Sequence, residues 1–265
     1  MFSMSFYAIS SFFAAMMVCG LALIIYVGSK NYSSKIFSYT IASIGVWALS
    51  IAFGYSYAGT NMVLSDFCIR SSYFLGTLIA ISFFYFSITF PENYEPSPRI
   101  RNFFAFLSLP IVLFYFAKDI STLFGSTLVS EQTIMTGTYI SKGHLRWSFG
   151  AYDIFFHILF FSFFSAALAV LWQKYKQQTE ETLRKQALYM FWALFIGVVP
   201  AGLANAALPG VGIFDYFWPG IMGVFGWVCV MSYTIIKQSQ LSIKTVTNEL
   251  LVVAITLIIL IGMFV

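Results

Sequence analysis

Eight stretches run through this chain almost without charge, over 5–27, 37–58, 68–90, 102–118, 149–173, 187–208, 215–236 and 247–265. A hydrocarbon core about 30 Å thick takes about 20 apolar helical residues to cross. A helix also satisfies its own backbone N–H and C=O groups, which lipid cannot do. These runs predict an all-α membrane protein. Composition agrees, because 60% hydrophobic and 9% charged residues in a 265-residue chain fall well outside the usual make-up of a soluble domain. The fourth run is short. The eighth reaches the end of the chain at "LIILIGMFV" with no flanking charge. We therefore expect a seven-helix transmembrane bundle over 1–236, a cytoplasmic linker over 237–246, and a truncated eighth helix over 247–265.

Orientation follows from the basic residues. Ten of the 14 Lys and Arg (Lys30, Lys35, Arg99, Arg101, Lys174, Lys176, Arg184, Lys185, Lys237 and Lys244) lie in odd-numbered connections, while Arg70, Lys118, Lys142 and Arg146 lie on the other side. The positive-inside bias puts the N-terminus outside and the end of the seventh helix in the cytoplasm. No Lys or Arg precedes the first run, so it lacks the basic start of a cleaved signal peptide and reads as a retained span. The net charge of +4 is spread over short clusters and forms no basic face, which argues against nucleic acid as a partner. Cys19, Cys68 and Cys229 make neither a disulfide framework nor a paired metal motif.

The one long external connection, "DISTLFGSTLVSEQTIMTGTYISKGHLRWS", has β-branched clusters around Leu128 to Val129 and Thr138 to Ile140 on either side of "TIMTG". It predicts a short β-hairpin between helices four and five, over the outer mouth of the bundle. The polar stretch "QKYKQQTEETLRKQ" is helix-prone, so helices five and six should project as an extended pair.

Ionisable groups inside membrane helices are expensive and read as functional by default. Asp153 and His157 stand four residues apart in the phenylalanine-rich "FGAYDIFFHILFFSFF", on one helical face. Arg70, Asn205 and Asp215 fall in the same outer half, with Trp218 nearby. The inner halves, such as "LFFSFFSAALAVLW", are free of charge. This asymmetry predicts an outward-opening polar pocket floored by Phe156, Phe160, Trp192 and Trp47, suited to a small amphiphile with its head group on the polar side chains and its tail among the rings. The structural alternative pairs Asp153 with Arg70 or Arg146 and lets His157 bond a neighbouring helix.

Other classes fit less well. Asp153 and His157 with His144 or Asp215 have metal-ligand chemistry but no recognised spacing, so neither a metal nor a cofactor is expected. Helix seven has no lysine for a retinal Schiff base between Asp215 and Lys237, and "SYTIIKQ" and "FSITFPENY" lack the helix-end motifs of G-protein-coupled receptors. No phosphate loop, zinc helix or nucleophile elbow is present, so the chain is not expected to be an enzyme. A transporter or lipid-handling protein for a small amphiphile stays open as an alternative, although paired broken helices are not visible. A membrane anchor and dimerisation platform is a third reading.

Three stretches together resemble the N-terminal seven-transmembrane receptor region of bacterial sensor histidine kinases, including those that detect acyl-homoserine lactones. They are "YFSITFPENYEPSPRI", "TLVSEQTIMTGTYISKGHLRWSFGAYDIFF" and "MSYTIIKQSQLSIKTV", and the likeness spans nearly the whole chain. The resemblance implies a bacterial inner-membrane location, a homodimer, a quorum-sensing type of ligand held among the helices near the outer side, and a cytoplasmic kinase or other effector domain in cis.

Overall fold

In the computed structural model, which describes residues 2–58, 60–104, 106, 135–141, 144–149, 153–208 and 228, the first three apolar runs and the sixth are helices that start upstream of their hydrophobic limits, whereas the helix of the fifth starts four residues after the expected 149, because Phe149 closes a strand. They are α1 (Phe2–Gly28), α2 (Tyr32–Tyr57) and α3 (Met62–Thr89), a further helix α4 seen at 98–104 and 106, α5 (Asp153–Gln177) and α6 (Glu181–Gly202). A π-helical turn, Leu203–Ala207, follows α6 directly. Four segments, Ser11–Gly28, Tyr32–Tyr57, Met62–Thr89 and Phe156–Gln177, are long and apolar enough to cross a membrane. Most of the expected fourth span, the eighth span and all of the seventh except Val228 lie outside the described residues. Val228 is helical and fully buried in the central cluster.

The overshoot has a local cause. Asn61 caps α3, its side chain accepting from Leu64 N at 3.1 Å, so the helix starts six residues before the apolar run. That satisfies one of the donors a helix start leaves open. It also draws Asp66 inside the helix, a residue that the hydropathy boundary had left out.

Three-residue and four-residue connections make α1, α2 and α3 successive antiparallel neighbours. Serines bond the helices to each other: Ser38 Oγ donates to Ala22 O and Ser65 Oγ to Gly54 O, both at 2.7 Å. Small residues permit this approach, as is usual between membrane helices. At Gly45 a Cβ would collide with Cys19 Sγ and sit 3.2 Å from Ala15 O. Gly45→Ala is therefore expected to destabilise the bundle by about 1–3 kcal/mol through overpacking, read as earlier loss of tertiary structure in a detergent-to-dodecyl-sulfate titration. An unchanged midpoint would mean that α1 and α2 are not in contact there.

α3 and α5 run parallel along an aromatic seam. Tyr73 meets Phe156 edge-on at 4.8 Å, Phe84 meets Phe163 at 5.8 Å, and Phe83 stacks on Phe164 at 6.0 Å between ring centroids. Phe37, Phe83, Phe86 and Phe90 are fully buried in the central cluster. Because lipid is as apolar as these rings, close packing and dispersion hold them together more than transfer from water does.

A two-stranded antiparallel ladder, β1 (Met135–Ser141) with β2 (His144–Phe149), precedes α5. It lies beside α3 and α1. Its placement differs from the expected arms: residues 135–137 of "TIMTG" belong to a strand instead of a turn, and Ser141 is paired with His144. The cluster around Leu128 to Val129 lies outside the described residues. A bulge between Met135 and Gly137 accommodates one extra residue in the first strand.

Candidate functional site

The polar centre of the bundle is built on α3. Arg70 stands eight residues past Met62, about 12 Å along the helix axis, and its Nη2 lies 2.9 Å from Asp66 Oδ2. Their side chains are only 6% and 13% exposed. An i, i+4 spacing puts the two on one face, and partnering is what makes a buried charge tolerable. The second carboxylate oxygen, Asp66 Oδ1, is buried and has no hydrogen-bond partner among the described residues.

One turn further along α3, Tyr73 packs on Phe156 of α5. Phe156 in turn lies against the ring of His157 at 5.1 Å and against Phe160 at 5.5 Å. His157 is half-buried and stacks on Phe161 at 6.3 Å. Since the two helices are parallel and Tyr73 faces Phe156, the turn carrying Arg70 is level with the start of α5 at Asp153.

α6 closes the other side. Gly202 comes so near α5 that a Cβ would lie 3.3 Å from Phe160 and 3.4 Å from Phe161. The π-helical turn that follows, where Leu208 N reaches back to Leu203 O, continues antiparallel to α5 and carries the backbone of Asn205 toward the level of His157. Pro200, inside α6, precedes this turn by three residues. A proline removes a backbone donor, and widened turns of this kind are frequent at functional sites.

Of the residues singled out from sequence, Arg70, Phe156, His157 and Phe160 therefore fall in one neighbourhood, with the backbones of Asp153 and Asn205 at its edges. The side chains of Asp153 and Asn205, and the whole of Asp215 and Trp218, lie outside the described residues. Trp47 is half-buried against the central cluster. Trp192 is placed elsewhere, 47% exposed on α6 and packed on Phe191 and Phe195. Asp66 and Tyr73 escaped the sequence reading. The Asp-x-x-x-Arg spacing could have revealed the first, had the helix start not been placed after it.

A second polar cluster lies at the opposite end of the seam. Lys174 of α5 donates to Ile88 O and Phe90 O, both at 2.7 Å, and to Glu92 Oε2 at 2.6 Å. It thus satisfies carbonyls that the end of α3 leaves open. Gln178 Nε2 adds a bond to Glu92 Oε1 at 3.3 Å. The turn after α3 also reaches α2: Asn93 Oδ1 accepts from Ser33 N at 3.0 Å and from Ser33 Oγ at 3.1 Å. Asn93 caps α2 from a distance while holding a positive φ of 56°, a conformation asparagine tolerates better than most residues. Tyr32 and Tyr85 join hydroxyls beside it at 2.7 Å. The stretch "TFPENY" is therefore a junction of α2, α3 and α5.

No family model matches this chain, and neither a curated protein nor a solved structure does.

Proposed function

We propose that the chain is a transmembrane sensor domain that binds a small amphiphilic signal at the end of the bundle where α3 and α5 begin. The change passes along the α3–α5 seam to an effector on the other side, which the sequence resemblance makes a histidine kinase. The carrying observation is the buried Asp66–Arg70 pair, 2.9 Å apart, set one turn from the Tyr73–Phe156 contact and level with the start of α5. Its open oxygen, Asp66 Oδ1, is an acceptor that a ligand amide N–H could satisfy, and a buried polar atom without a bond gains most from acquiring one. The Phe156, His157 and Phe160 rings offer an apolar wall for a tail. A ligand can shift a two-state bundle only through its differential affinity for the two packings, and the seam joins this site to the Lys174 junction through packed rings.

The test uses N-acyl-homoserine lactones of short, medium and long chain, added to the detergent-solubilised protein. A saturable rise in unfolding temperature is expected for at least one of them, since a ligand bound only to the folded state stabilises it. His157→Phe is expected to weaken that response about tenfold, roughly 1.4 kcal/mol, while leaving the unliganded unfolding temperature unchanged. Identical dose responses in both proteins would remove His157 from the site. Net passage of the lactone across reconstituted vesicles would favour the transporter reading.

A further inference from the structure

Away from this site, α5 and α6 form an open groove of about 430 Å³ lined by Leu168, Ala169, Trp172, Phe191, Trp192 and Phe195. Among the described residues no charged side chain lines it. On α5 it lies in the half nearer the 178–180 connection, and Trp172, Trp192 and Phe195 are 41%, 47% and 43% exposed. The small Ala169 leaves the hollow, while Trp172 bridges to Phe191 at 5.2 Å to make its end wall.

A cation stands over that end. Lys176 Nζ is 5.1 Å from the centroid of the Trp172 ring and 5.9 Å from that of Tyr175. Of the neighbouring basic groups, Lys174 pairs with Glu92 and Lys185 with Glu181 at 2.6 Å, while Arg184 is exposed at the start of α6. Among the described residues Lys176 has no carboxylate partner, and the faces of two rings hold it in place. The Trp and Tyr beside it are the types enriched at the membrane–water boundary.

We propose that this groove is a binding site for one anionic phospholipid, its acyl chain lying on Ala169, Trp192 and Phe195 and its phosphate on Lys176. Charge complementarity selects this occupant. A second copy of the chain would share the same orientation in the bilayer, so a two-fold contact through this face would set the two Lys176 side chains at one level, against each other. A zwitterionic lipid would place its own ammonium near the lysine.

The full chain, reconstituted in phosphatidylcholine, reports occupancy through tryptophan quenching by added lipid with brominated acyl chains. Brominated phosphatidylglycerol is expected to quench at about fivefold lower mole fraction than brominated phosphatidylcholine, the preference one basic side chain near the surface supplies. Lys176→Gln should abolish that preference while leaving quenching by phosphatidylcholine intact, and Ala169→Phe should reduce quenching by both lipids. Equal quenching by the two lipids in the unsubstituted protein would overturn the proposal, as would a preference that survives Lys176→Gln. Loss of quenching as protein density rises would assign the face to a second copy and would equally overturn it. Neither result bears on the lactone response, which involves the opposite end of α5.

Discussion

Asp66→Ala is expected to lower the stability of the bundle by about 3 kcal/mol, the scale of removing one member of a buried ion pair. In separated helices Arg70 can reach the micelle surface, whereas in the packed bundle its side chain is 6% exposed. The penalty therefore falls on the folded state alone. Asp66→Leu combined with Arg70→Met removes both charges at similar volume and is expected to recover stability to within about 1 kcal/mol of the original. The same double variant should lose the lactone response entirely, because both polar contacts are gone. Titration into dodecyl sulfate, followed by far-UV and near-UV circular dichroism, measures the first effect and ligand-dependent thermal shift the second. A double variant as unstable as Asp66→Ala would mean that the site cannot be repacked without charge. One that still responds to lactone would place the ligand elsewhere.

The second large effect is expected at the other end of the seam. Lys174→Met keeps the length of the side chain but loses the bonds to Ile88 O, Phe90 O and Glu92, at a cost of about 2–4 kcal/mol given the strength of hydrogen bonds to charged groups. Glu92→Gln should cost less, about 1 kcal/mol, since the two carbonyl bonds persist and Glu92 is 38% exposed and partly screened by solvent. That ordering is the test. If Glu92→Gln is as damaging as Lys174→Met, the lysine acts as a simple ion-pair partner and does not bind the end of α3. If the assignment holds, Lys174→Met should also free the end of α3, seen as faster amide exchange at 88–93 than in the parent protein.

Much of the helical framework was legible before any contact was known. The first three apolar runs coincide with α1, α2 and α3 to within six residues at each end, and Asp153 and His157 stand in α5. The boundaries were less visible, because hydropathy marks where apolar residues stop and a cap marks where the helix does. Asn61 moved the start of α3 upstream, and the pairing of Asp66 with Arg70 came with it. The likeness among phenylalanines hid more. Phe156 is 4% exposed and Phe161 38%, yet in sequence they are the same residue in the same run. In water the polar face of a helix tells inside from outside. In lipid both faces are apolar, so that signal disappears.

The amino-acid order alone thus settled that the chain is built of apolar helices long enough for a bilayer, since span length and apolarity are properties of each segment by itself. Docking settled the rest: which rings form the α3–α5 seam, that Trp192 joins Trp172 on an open groove, and that Lys174 finds Glu92 across 82 residues of chain. Such contacts depend on the rotation and register of one helix against another. Those are set by close packing, small-residue contacts and buried polar bonds, none of which a single segment contains.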